Sequence, residues 1–236
     1  MKTTIVLLAA LAATALAETG VKIIRITGEV KVRRGVEEAW EPAKIGMLLE
    51  LIDSILTLEG EALLELDGGR GLFRLGNHSM MDIEDLRQIT ERELFVRLMS
   101  EKVSKISVPA TKPQLRTADA SSIHGTQYEL AASDSVRSRE QWRQREINAA
   151  QAMFAQELVP NVVLKLHKVL TKYPDVEDCG ETQFYLGKAF ETMNRPGQAI
   201  DAYQLSLEES SGVACQDQES QAHRAVAQQA LKDLQE

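Results

Sequence analysis

From Gly46 to Ile83 the chain is cut by Gly60, by Asp67-Gly68-Gly69 and by Gly76-Asn77 into short apolar runs, which leaves no room for a long helix. The runs Ser54 to Leu58, Glu61 to Leu66, Arg70 to Leu75 and Ser79 to Ile83 each have about the length of an average strand. Glycine and asparagine at the joints supply the positive φ of tight hairpin turns. Within the runs, Leu64 and Leu66, then Phe73 and Leu75 against Leu72 and Arg74, alternate so that one face of each strand turns inward. The expectation is a half-buried antiparallel β domain, built as a hairpin-rich sandwich or a short β-solenoid.

Upstream, Val21 to Ile26 and Glu29 to Arg34 flank Thr27-Gly28 and predict an opening hairpin. Trp40, before Pro42, fits a core aromatic closing one end of the sheet better than a surface ring for a glycan or peptide. Downstream, Glu93 to Leu98 alternates again and Lys105 to Val108 offers one more strand, before Pro109 and Pro113 open a loop that runs to Ser122.

The order Gly28-Glu29-Val30, Val32-Arg33, Trp40, Gly46, Leu48, Asp53, Ile55, Thr57, Leu64-Glu65-Leu66-Asp67-Gly68, Arg74-Leu75 and Asn77-x-Ser79 resembles the FecR domain family. A second block, Leu115-Arg116-Thr117-Ala118 and Ile123-His124-Gly125-Thr126-Gln127-Tyr128-Glu129-Leu130, is similar to that family's later segment. The chain departs from it at Ile52, where a glycine is usual, and at His124, where an arginine is usual; the strands that follow the Gly-Thr motif are missing. The resemblance implies an extracytoplasmic domain that takes part in signalling, often joined by a transmembrane helix to a cytoplasmic sigma-factor regulator. No such helix is read here, so adaptor or scaffold work is the expected carry-over.

Lys2, the apolar run Ile5 to Ala13 and Ala15-Leu16-Ala17 make a secretory signal peptide, with cleavage expected between Ala17 and Glu18. Its apolar run is too short for a stable span, so export without stable membrane insertion is expected, to the periplasm or beyond. The charge is uneven: from Glu146 onward there are 14 acidic and 7 basic residues, against 21 and 19 in residues 18–145. An acidic helical half is a poor nucleic-acid binder, because phosphate contacts depend on clustered Lys and Arg, so no nucleic-acid partner is expected.

Residues that tempt a mechanism lack partners at useful spacing. His124 has no second ligand nearby, and His78-Ser79 has no orienting acid. Asp53, Asp67, Asp82 and Asp85 lack calcium-loop spacing, so turn and surface roles are expected of them. Neither a cofactor nor catalysis is expected.

At about Ala131 glycine turns vanish and alanine and glutamine rise, with Ser138-x-x-Gln141 as a helix-opening capping box. Arg137, Arg139, Arg143 and Arg145 surround Trp142, which is expected to pack against the β domain. Leu186-Gly187, Phe190, Ala199 and Tyr203 look like a tetratricopeptide repeat, with Pro196-Gly197 as its turn. Met153, Val162, Leu166 and Pro174 fit a preceding repeat, and Ser220 to Leu234 a closing helix. Cys179 and Cys215 stand near the starts of successive first helices, where a disulfide would staple the second repeat to the closing helix.

The expected organisation is a signal peptide (1–17), a FecR-like β domain (18–131), a linker and helix start (132–145) and a tetratricopeptide-like helical domain (146–236). The expected function is non-enzymatic binding or scaffolding of an envelope protein, with Trp40, Phe184, Tyr185, Lys188 and Tyr203 as the candidate surface. The alternative is a carbohydrate- or peptidoglycan-binding accessory protein, with cell-wall glycan held by Trp40, Phe73 or Tyr128.

Overall fold

The computed structural model describes residues 20–66, 69, 71–105 and 136–236, so the signal peptide and the His124 to Tyr128 block lie outside the described residues. Strands β1 (Val21–Arg33), β2 (Glu41–Pro42), β3 (Leu48–Leu49), β4 (Ser54–Leu66), β5 (Gly71–Leu75) and β6 (Met80–Asp82) come first, followed by a 3-10 turn (Ile83–Leu86). Helices α1 (Glu91–Lys105), α2 (Val136–Ala155), α3 (Val159–Lys172), α4 (Glu181–Thr192), α5 (Pro196–Glu209) and α6 (Gln218–Gln235) complete the described chain. Each of the strand pairings is antiparallel, with β1 beside β4 at the centre, so this is not the parallel rung stacking of a solenoid.

The central pair corrects two expected turns. Thr27-Gly28 and Gly60 do not reverse the chain; β1 and β4 run through them as strands of 13 residues each. Gly28 and Gly60 face each other in the register, and a Cβ on either would lie 1.9 or 2.0 Å from a carbonyl oxygen of the other strand. Both positions are glycine because the backbones approach too closely for any side chain. The register slips between Gly28 and Val30, and this bulge divides the sheet: one half of the central pair takes β3 and β5 as neighbours, the other β2 and β6. At the β5–β6 joint the positive φ falls on His78 rather than on Gly76 or Asn77. The expected alternation holds: Leu64, Phe73 and Leu75 are buried, whereas Leu72 and Arg74 face water.

Residues Glu93 to Leu98 belong to α1 and not to a strand. The Glu93 amide donates to Thr90 Oγ1 (3.2 Å), and Glu91 and Glu93 lie in the first turn, where the helix dipole favours acids. Helix α2 already includes Val136, so Ser138 lies inside it and the boundary at Glu146 falls in mid-helix. Pro196 and Gly197 stand in the first turn of α5, and Asn194, with φ 55, makes the connection instead. At Gly187 a Cβ would meet the Tyr203 ring at 2.6 Å, so this glycine lets α4 and α5 pack closely. Sheet and helices share one continuous core, from Ile23 and Phe73 through Ile147 and Met153 to Leu166 and Phe184.

Candidate interaction surfaces

Helix α3 buries Val162, Val163, Leu166 and Val169, yet it also carries Lys165, Lys168 and Lys172 along one face. The Lys165 side chain is fully buried, with Nζ 3.0 Å from Asp85 Oδ2 and 3.0 Å from Glu146 Oε2. Lys168 Nζ donates to Asp85 Oδ1 (2.6 Å), while Lys172 Nζ (2.7 Å) and the Tyr173 hydroxyl (2.9 Å) donate to Glu146 Oε1. Burial works to raise the Asp85 and Glu146 carboxyls, but the lysine charges outweigh it and hold both below their ordinary values. Burial likewise works to lower Lys165, and the two carboxylates hold it above its ordinary value. Asp85, expected at the surface, is thus buried and clamps the 3-10 turn after β6 onto α2 and α3. Asp53 is buried too, accepting from the amides of Gly35 (2.9 Å) and Glu50 (2.9 Å) and pairing with Arg34 (2.7 Å).

Two further clasps join sheet to helix. The Gln156 side-chain amide acts as a neighbouring strand would: its Oε1 accepts from the Arg74 amide (2.8 Å) and its Nε2 donates to the Arg74 carbonyl (2.9 Å). Trp40 is half-buried and stacks on Trp142 of α2, with ring centroids 6.1 Å apart and planes 16° from parallel. Arg33 lies 5.2 Å over Trp40 and Arg145 4.7 Å over Trp142, so cations close both ends of the stack. Trp142 packs on the β unit as expected, and the partner it finds there is the aromatic that was expected to plug the sheet. In a double-mutant cycle of Trp40→Ala and Trp142→Ala, chemical unfolding should give a coupling of about 1 kcal/mol. Strictly additive losses would show that the stack contributes nothing beyond burial.

The remaining candidates divide by burial. Tyr203 is buried and donates to Glu191 Oε2 (2.7 Å), and Phe184 is buried between Tyr203 and the His223 ring, which stacks on it at 4.2 Å. Neither presents a face to water. Tyr185 and Lys188 are half-buried on α4, with Lys188 Nζ 5.4 Å from the Phe154 ring, 5.6 Å from Phe184 and 6.0 Å from Tyr185. Among the described residues Lys188 makes no ion pair. Two turns before Lys188 on α4, Glu181 Oε1 accepts from Gln144 Nε2 (3.1 Å), which also donates to Asn148 Oδ1 (3.3 Å). Burial and the charges of Glu181 and Glu219 push the Tyr185 hydroxyl up to about 12, and burial together with Lys188 lowers His223. At neutral pH the face therefore presents the Lys188 cation, a phenol and a neutral imidazole, with Glu181 and Glu219 near enough to act on the phenol.

No protein-family model, no curated protein and no solved structure matches this chain. Trp40 stands apart from the Lys188 group, since Trp142 and Phe154 are separated by roughly 18 Å of helix. Phe73 is buried, Trp40 is covered by Trp142 and Tyr128 lies outside the described residues, so no exposed aromatic row forms from these three. Ser79 Oγ donates to the Asn77 carbonyl (3.1 Å), and the His78 carbonyl accepts from Asn148, so this pair serves a turn and a docking contact. Among the described residues no three His, Cys, Asp or Glu side chains converge as metal ligands, and no helix is long and apolar enough to cross a membrane. Cys179 and Cys215 form a disulfide with Cα atoms 5.4 Å apart, joining the loops before α4 and α6.

Proposed function

We propose that the chain is a non-enzymatic binding or scaffold protein of the bacterial cell envelope, in which a FecR-like β unit carries a tetratricopeptide-like helical unit that engages a protein partner. The observation that carries this reading is Lys188, a cation set among Phe154, Phe184 and Tyr185 that makes no ion pair among the described residues. An ammonium without an ion pair, set over aromatic rings, suits a partner segment that brings acceptor groups and apolar side chains together. The disulfide favours an oxidising compartment, which agrees with the expected signal peptide. Among the described residues no comparable feature supports glycan binding.

The test uses the chain from Glu18 onward as bait on solubilised envelope, with captured proteins identified by mass spectrometry and compared between wild type and the Tyr185→Ala/Lys188→Ala variant. Specific protein partners should be captured by the wild type and depleted at least tenfold by the variant. Capture of cell-wall glycan alone, or an unchanged partner set, would overturn the proposal.

A further inference from the structure

Helix α1 carries an apolar surface wider than its seat covers. Leu94 is buried and Leu98 half-buried, in a narrow seat shared with Phe190 and Met193. Ion pairs of Glu91 with Arg195 and of Glu93 with Arg87 hold the start of the helix there. Phe95, Val96 and Met99 are 52%, 58% and 43% exposed, and Phe95 lies at the edge of that same seat. Single exposed apolar residues need no explanation, but Phe95 and Met99 share an apolar lining with Leu205 of α5, itself 44% exposed.

Those residues border a groove of about 300 Å³ that adjoins the seat of α1. Phe95, Leu98 and Met99 of α1, Leu170 of α3, Leu186 and Phe190 of α4 and Leu205 of α5 line it, with Asp201 as its one acidic lining residue. Phe190 lines both the seat and the groove, so the surface that already receives one helix continues past it. Asp201 is exposed and makes no ion pair among the described residues, and the helical half as a whole is acidic.

We infer that this groove docks an amphipathic helix of a partner protein, laid beside α1 over α4 and α5. Four helices, α1, α3, α4 and α5, supply its lining, so a further helix laid there would meet helix surfaces of the kind that α1 already meets. The seat next to it shows the side-chain pattern that fits, apolar residues at i and i+4 as in Leu94 and Leu98. A basic residue on that helix would complement Asp201, which lines the groove. This surface is separate from the one around Lys188, which faces α2 and α6 rather than α1, so either can fail without the other.

The probe is a fluorescein-labelled synthetic peptide with the sequence of α1, Glu91 to Lys105, which carries the same apolar spacing and a net charge of +1. It is titrated with the exported chain and followed by anisotropy. Saturable binding is expected, weakened at least tenfold by Leu205→Glu and severalfold by Asp201→Lys, and unchanged by Val226→Glu on α6, an exposed position outside the groove. Both groove variants change exposed side chains, and matching thermal unfolding curves confirm that they fold. Absence of saturable binding, or binding indifferent to Leu205→Glu, would overturn the inference. So would a concentration-dependent dimer abolished by Leu205→Glu, which assigns the groove to a second copy. Displacement of the peptide by dodecanoate at lower concentration than by unlabelled peptide would overturn it too, because the groove would then belong to an acyl chain.

Discussion

Lys165→Met should destabilise the protein by about 3 to 5 kcal/mol, measured by urea unfolding at neutral pH. The lysine is the central cation of the junction, fully buried between Asp85 and Glu146. Its loss leaves two buried carboxylates with only Lys168 and Lys172, whose side chains are partly in water. Most of the loss is the cost of unpaired buried charge and not the worth of the pair itself, so the triple variant Asp85→Asn/Glu146→Gln/Lys165→Met should recover at least half of it. The pH dependence follows from the signs. The folded-state carboxyls are depressed, so their contribution is present above their unfolded values near 4 and is lost as pH falls through the lower folded values. Lys165 is raised, so its contribution is present below its unfolded value of 10.5 and is lost as pH rises through the folded one. The deficit of Lys165→Met should therefore be level from about pH 5 to 10 and shrink on acidification below about pH 4. A deficit that persists undiminished in acid would mean that lost packing, not unpaired charge, causes it.

The junction was the part least legible in the sequence, because its partners are far apart along the chain. Asp85 and Lys165 are 80 residues apart, and nothing local to Asp85 distinguishes it from a turn aspartate. A signal did exist in α3, where three lysines share one face of a helix that otherwise buries valine and leucine. Charge at that spacing on an apolar helix points to buried partners. The strand alternation was legible because a period of two depends only on which face is buried, and Leu64, Phe73 and Leu75 obey it. Gly28 and Gly60 were misread because a hairpin turn and a close backbone crossing make the same demand of the residue, and only the pairing separates them. Glu93 to Leu98 alternates like a strand, but Thr90-x-x-Glu93 ahead of it is a helix start, and the observed cap at Thr90 is the term that prevailed. On the candidate face, Tyr185 and Lys188 were legible as a pair on one helix, whereas the stacking of His223 on Phe184 depends on how α6 packs against α4.

Replacing both cysteines, Cys179→Ser with Cys215→Ser, should cost about 3 to 4 kcal/mol, the chain-entropy value for a loop closed across 36 residues. The loss should not be felt evenly. The loop before α4 is held by more than the bridge: Asp178 accepts from the amides of Gly180 (2.9 Å) and Thr182 (3.1 Å), and Ser206 Oγ donates to the Gly180 carbonyl (2.9 Å). Helix α6 has less. Of its residues only Ser220 and Ala227 are buried, and its start depends on the Asp217 cap and on Cys215 just before it. Without the bridge, α6 should open locally before the rest unfolds. Hydrogen exchange in Gln218–Gln235 should then quicken at least tenfold, while exchange in β4 and α3 stays within about twofold of wild type. Release of α6 also takes His223 off Phe184 and alters the surroundings of Lys188, so the Lys188 face should lose partner capture in the same variant. Uniformly faster exchange across sheet and helices would instead mean that the bridge acts only on the unfolded chain, and α6 would then need no covalent tie to stay in place.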